Sequence, residues 1–125
     1  MLSKKVAFIC ANFLFSILFN LTAFAGFENY LVTDLTSENN HADYIVISHQ
    51  KFFKNLSGFL DWRASMGLDI ILVDVSDIVS QFNSAGSRGE AIRQFVSYTQ
   101  TNWQKPSPKY LFLVNPLGKR NAFLS

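Results

Sequence analysis

Three short apolar runs alternate along the chain with two longer segments that have helical periodicity. The runs lie at residues 43–49 ("DYIVISH"), 69–75 ("DIILVDV") and 109–115 ("KYLFLVN"), and polar residues bound each of them. A short, continuous apolar run rich in β-branched residues is typical of a strand buried on both faces of a sheet. The pattern therefore predicts a buried strand at each of the first two runs and a third strand at the last.

The segments between these runs carry apolar residues at three- and four-residue steps, the spacing of one helix face. The first set is Phe52, Phe53, Leu56, Phe59, Leu60 and Met66, and the second is Ile92, Phe95, Val96, Thr99 and Trp103. We expect Ser48 to be the N-cap of the first helix and Gly67 to end it in a left-handed cap. Ser87 and Glu90 form an S-x-x-E capping box before the second. Residues 76–83 ("SDIVSQFN") indicate a short helical turn.

The order β-α-β-α-β predicts an α/β fold, in which a parallel three-stranded sheet carries helices on its faces. We assign residues 42–115 to this subdomain, residues 26–41 to a polar leader or edge segment, and residues 116–125 to a divergent tail. Parallel strands usually lie deep inside larger sheets, and three strands leave two open edges. The subdomain is therefore expected to be part of something larger.

Residues 1–25 have the pattern of a secretory signal peptide. Lys4 and Lys5 form a basic start, an apolar run follows, and Ala23-Phe24-Ala25 supplies small residues for cleavage before Gly26. We therefore expect export to the periplasm or the extracellular space. The alternative is an uncleaved anchor, because residues 6–25 are about long enough to span a bilayer; this would be the chain's sole membrane contact.

The composition of the mature chain excludes several classes of binding and catalysis. The full sequence has 11 basic and 9 acidic residues, and loss of Lys4 and Lys5 would leave 9 of each. A net charge of zero gives no electrostatic basis for binding nucleic acid. Cys10, the single cysteine, would leave too, so no disulfide, thiolate ligand or cysteine nucleophile is expected. No G-x-G-x-x-G or Walker motif is present, and no cofactor is predicted.

The polar residues near the strand ends do not predict a site. Ser48 and His49 follow the first strand, where open α/β sheets place their sites, but adjacent strand residues point to opposite faces. His41 is a weaker candidate because it lies in the leader. Asp74 and Asp77 offer too few oxygen ligands for a metal ion. We therefore assign no catalytic, cofactor-binding or metal-binding residue.

The two tryptophans have the pattern of packing residues. Trp62 is expected to pack against the sheet or along its border, while Asp61 and Arg63 face water. Trp103 closes the second long helix and is expected to pack in the same way, since large aromatic side chains mostly serve cores.

Four segments, in order and spacing, resemble the first part of the gingipain-type cysteine peptidase domain. They are "ADYIVISH", "FLDWRASMGLDIILVDVSDI", "GEAIRQFVSYTQTNW" and "PKYLFLV", which together cover about residues 42–114. Asp61, Trp62, Arg63, Gly67 and Leu68 match a D-W-[RK]-x-x-x-G-[LF] motif. Ala91, Ile92, Arg93 and Phe95 match the family's x-A-I-[RQ]-x-F-[VL] helix. The chain departs from the family at Asn115, where relatives usually continue with V-G-D.

The resemblance implies a caspase-like α/β fold and a secreted endopeptidase with a His/Cys dyad. In that family the dyad belongs to a later part of the domain than the matched segment. We therefore expect a truncated fragment, inactive alone, whose partners are a protein substrate or the missing catalytic subdomain. The alternative is a non-catalytic exported module that binds another protein, for example by offering its sheet edge to a partner strand.

Overall fold

The computed structural model of the protein describes residues 26–82 and 86–114. The predicted signal segment, its cleavage site, part of the loop before Ser87 and the predicted tail lie outside these residues. Every predicted strand and helix has a counterpart. The elements in chain order are β1 (Tyr44–Ser48), α1 (Phe53–Ser65), β2 (Ile70–Asp74), α2 (Val75–Phe82), α3 (Arg88–Asn102) and β3 (Tyr110–Leu113).

The three strands form one parallel sheet in the order β2-β1-β3, which confirms the predicted fold class. Tyr44 at the start of β1 lies in register with Ile70 on one side and with Tyr110 on the other. All five residues of the central strand β1 are buried. This strand therefore has the environment that its continuous apolar run predicts.

Helices cover both faces of the sheet, and each face has its own core. On one face β1 and β2 pack against α2, α3 and part of the preceding segment, and on the other they pack against α1. The strand residues of the first face are Ile45, Ile47, Ile71 and Val73, and those of the second are Tyr44, Val46, Ile70 and Leu72. The alternation follows from the two-residue period of a strand.

Two of the three predicted helix caps are confirmed. Gly67 has a φ of +84°, a left-handed conformation that glycine adopts without steric cost. At the start of α3, Ser87 is the N-cap, because its Oγ accepts from the Glu90 N–H across 3.1 Å, whereas the Glu90 carboxylate bonds Arg93 and does not complete the predicted capping box. The predicted cap at Ser48 is wrong, because this residue is still inside β1 and its buried hydroxyl donates to the His49 carbonyl oxygen. His49 instead caps a 3-10 turn at Gln50–Phe52 that precedes α1.

The outer edge of β2 is covered by the segment that precedes β1. Leu31 forms a parallel bridge with Leu72. Two hydrogen bonds hold it: the Val32 N–H donates to the Leu72 carbonyl across 3.0 Å, and the Leu72 N–H donates to the Tyr30 carbonyl across 2.8 Å. One of the two sheet edges is thus protected by the chain itself.

The outer edge of β3 has no neighbouring strand within residues 26–82 and 86–114. Its four apolar side chains are between 39% and 53% exposed: Tyr110, Leu111, Phe112 and Leu113. This strand is therefore more exposed than β1 and β2. The physical reason is its edge position, since side chains of an edge strand have sheet neighbours on one side alone.

Candidate functional site

Within residues 26–82 and 86–114, the carboxyl end of the sheet does not assemble a nucleophile and a base. Ser48 is 1% exposed and donates its hydroxyl hydrogen to the His49 carbonyl, while the exposed His49 ring accepts from the Lys51 N–H across 3.3 Å. A serine nucleophile would need its hydroxyl bonded to the imidazole. Both polar groups instead shape the connection between β1 and α1.

Asp74 and Asp77 lie close together at the end of β2, but the Asp74 carboxylate is used in a structural hydrogen bond. The Asp74 carboxylate accepts from the Ser76 N–H across 3.0 Å. The pKa of Asp77 is raised, chiefly by its burial and further by the negative charge of Asp74. In the described part of the chain, no group of three or more His, Cys, Asp or Glu side chains could hold a metal ion.

One polar pair has no signal in the sequence pattern, and it lies at the opposite end of the sheet. His41 Nδ1 and Asp69 Oδ2 are 2.6 Å apart. The Asp69 N–H donates to the Asp43 carboxylate across 2.8 Å, and the Asp43 N–H donates to the Asp69 carbonyl across 2.7 Å. The pair therefore fastens the residues before β1 to those before β2. His41 and Asp69 are 28 positions apart, so no local spacing signals this contact.

The D-W-R triplet of α1 is arranged differently from the prediction. Asp61 is exposed as expected, and its carboxylate accepts from the Tyr30 hydroxyl across 2.7 Å. Trp62, however, is 52% exposed, whereas Arg63 is partly buried with its guanidinium carbon 4.6 Å from the Trp62 ring centroid. Trp62 thus packs at the border of the fold, and the prediction that Arg63 faces water is wrong. Trp103 is 2% exposed, which confirms its predicted packing role.

An aromatic cluster connects α1 to the open strand. The Phe59 ring centroid lies 5.1 Å from that of Phe112, and the Tyr44 and Tyr110 rings stack at 5.7 Å. We call the exposed border of this cluster the α1–β3 surface. It consists of Trp62, Arg63, Met66, Tyr110 and Phe112. Met66 was predicted to lie on the core face of the helix, but it is 53% exposed because α1 ends at Ser65.

No helix in residues 26–82 and 86–114 is long and apolar enough to cross a membrane.

An open groove of about 410 Å³ lies along α3, and Phe82, Arg93, Tyr98 and Asn102 are among the residues that line it. The Arg93 guanidinium there is already engaged, because its Nε donates to the Glu90 carboxylate across 3.0 Å. This bond lowers the pKa of Glu90 and raises that of Arg93.

Comparison with known proteins identifies a family. The model of peptidase family C25 matches residues 37–116, which is more than half of the chain and includes β1 to β3 and α1 to α3. No curated protein and no solved structure is detectably similar to the chain. The matched segment contains no cysteine.

Proposed function

The chain belongs to peptidase family C25, and we propose that its α/β unit supports peptidase chemistry without supplying the catalytic groups. The arrangement at the carboxyl end of the sheet carries this proposal. Ser48 and His49, the two residues placed where such a fold has its site, use their side chains to bond the backbone. A cysteine peptidase needs a thiolate beside a base, and residues 26–125 contain no thiol.

The open edge of β3 supports the second half of the proposal, that a catalytic part packs against this unit. Four exposed apolar side chains in a row form the kind of edge that proteins normally cover or pair. A partner strand would satisfy the outward-pointing backbone groups of β3 and shield its side chains from water. The unit would then occupy the interior of a larger sheet, which is where parallel strands are usually found.

A peptidase assay on the full chain tests the claim that it lacks catalytic groups. We expect no hydrolysis of fluorogenic peptides with basic, acidic or apolar residues before the scissile bond, with or without reducing agent. The Cys10→Ser variant removes the single thiol and should behave identically. Hydrolysis that persists in Cys10→Ser and disappears in His49→Ala would contradict the proposal, because it would assign the chemistry to the strand end.

We further propose that the chain is exported. The basic start at Lys4 and Lys5, the apolar run and the small residues before Gly26 support a cleaved signal. Intact mass measurement of the protein from periplasm or medium should give a chain that begins at Gly26. A full-length chain recovered from the membrane fraction would instead support the uncleaved anchor.

The same open edge also favours a second candidate function, an exported module that binds another protein without any peptidase role. The two candidates differ in how the chain behaves alone. A self-sufficient module should unfold cooperatively in urea, with tryptophan fluorescence and far-UV circular dichroism changing together. A unit that depends on a catalytic part should unfold broadly, bind hydrophobic dyes and gain a cooperative transition when that part is supplied.

A further inference from the structure

Arg63 is held in an unusual environment on the α1–β3 surface. Its guanidinium carbon lies over three aromatic rings, at 4.6 Å from the centroid of Trp62, 5.3 Å from that of Tyr44 and 5.5 Å from that of Phe59. Its Nε is buried and has no hydrogen-bond acceptor. Its one described hydrogen bond runs from Nη1 to the Met66 sulfur, a weak acceptor, across 3.9 Å.

No carboxylate within residues 26–82 and 86–114 pairs with this guanidinium. Asp61, the nearest acid in sequence, accepts from the Tyr30 hydroxyl instead. The aromatic rings stabilise the positive charge but cannot accept the N–H groups as an oxygen does. A charged donor that is partly removed from water and lacks an acceptor is unfavourable, and a planar guanidinium fits a carboxylate through two parallel bonds.

The same aromatic rings connect Arg63 to the edge strand β3. Tyr44, under the guanidinium, stacks on Tyr110 of β3, and Phe59 contacts Phe112. A segment that paired with the outer edge of β3 would therefore run beside these aromatic side chains. Its own side chains on the α1 side of the sheet would approach Trp62 and Arg63.

We propose that the α1–β3 surface docks an extended acidic segment of another polypeptide, which pairs with β3 and places a carboxylate against Arg63. The inference deepens the proposed function, since it gives the chemistry of the strand that covers the open edge. A second copy of this chain fits less well. The edge strand Tyr110–Leu113 carries no carboxylate, so the same edge of a copy would bring Arg63 no counter-charge.

The test is a binding measurement with two matched peptides on the ¹⁵N-labelled full chain. The probes are the hexapeptides Val-Glu-Val-Thr-Val-Glu and Val-Gln-Val-Thr-Val-Gln, each acetylated at its N-terminus and amidated at its C-terminus. They differ only in that two side chains end in a carboxylate in the first and in an amide in the second. The indole N–H signals report the site, because Trp62 borders it while Trp103 is buried and bonded to the Leu35 carbonyl. The Trp62→Phe variant assigns the two signals.

We expect the Glu peptide to shift the Trp62 signal, to leave that of Trp103 in place, and to bind about tenfold more tightly than the Gln peptide. Arg63→Gln should abolish the difference between the peptides. Arg93→Gln is the matched control, because that arginine lies on α3 outside the surface, and it should keep the difference. An unshifted Trp103 signal in Arg63→Gln shows that the fold is intact.

Several results would overturn the inference. They are equal binding of the two peptides, binding of neither, a loss in Arg93→Gln equal to that in Arg63→Gln, and a concentration-dependent dimer in sedimentation that both peptides fail to disrupt. The last result would assign the edge to a second copy. None of them bears on the peptidase assay, so failure of this inference and failure of the non-catalytic proposal are distinguishable.

Discussion

The indole N–H of Trp103 donates a hydrogen bond across 3.0 Å to the carbonyl oxygen of Leu35, and both residues are almost fully buried. The bond joins the end of α3 to the segment that precedes β1, 68 positions earlier in the chain. The Trp103 ring also meets Phe95 edge to face, with centroids 5.7 Å apart. The polar leader is therefore fastened into one of the two cores, although its sequence has little hydrophobic pattern.

Replacement of Trp103 tests this attachment. Trp103→Phe keeps an aromatic ring but leaves the buried Leu35 carbonyl without its donor, which should lower the free energy of unfolding by about 1–3 kcal/mol. The measurement is urea unfolding followed by far-UV circular dichroism. Trp62→Phe is the matched control, and because Trp62 is half exposed it should change stability by less than about 0.5 kcal/mol. Equal effects of the two substitutions would contradict the structural role of Trp103.

The hydrogen bond from Tyr30 to Asp61 predicts a pH dependence of stability. This bond, together with burial and the charge of Asp61, raises the pKa of Tyr30 from 10.0 to about 12. Between these values the folded chain holds the phenol proton more tightly than the unfolded chain does. The contribution is therefore complete below pH 10 and is lost as pH rises towards 12.

The measurement is urea unfolding of the native chain and of Tyr30→Phe at about pH 8 and about pH 11, below and inside this window. The stability difference between the two proteins should have its full size at about pH 8 and be smaller at about pH 11. Since Tyr30 is only partly buried, solvent screening keeps the effect small. An equal stability difference at both pH values would show that the bond to Asp61 does not raise the pKa of Tyr30.

Ile47 and Leu113 are register partners on neighbouring strands, and they allow a direct comparison of the central and the edge strand. Ile47 is 2% exposed and Leu113 is 50% exposed. Ile47→Ala should destabilise the fold by about 2–5 kcal/mol because it leaves a cavity in a packed core. Leu113→Ala should cost less than about 1 kcal/mol in the isolated chain. Similar losses, measured by urea unfolding, would mean that β3 is covered.

Much of the fold is predictable from the sequence because its signals are local. The β-branched run around Val46, the helical steps through Phe95 and the glycine at position 67 each act over a few residues. The prediction errors arise where a residue distant in the sequence determines the local structure. Ser48 fails as a cap because β1 extends through it, and that extent depends on pairing with β2.

The features of the candidate docking surface are the hardest to predict. An apolar run such as Tyr110–Leu113 has the same pattern whether a strand is central or at an edge. The position of Arg63 depends on the tertiary placement of Tyr44, 19 positions away, under its guanidinium. The contact of His41 with Asp69 likewise exists only once two strand ends meet. Such arrangements follow from topology rather than from spacing.

An open edge at β3 underlies the proposed docking of a partner strand, and amide hydrogen exchange of the full chain reports on it residue by residue. The N–H groups of Tyr110 and Val114 donate to β1 and the residue before it. Because N–H directions alternate along a strand, those of Leu111 and Leu113 point outward. We predict fast exchange at Leu111 and Leu113 in the isolated chain, slow exchange at Ile45 and Ile47, and protection of the outward amides once a partner strand binds. Slow exchange at Leu111 and Leu113 in the isolated chain would contradict the account, because the edge would then already be paired.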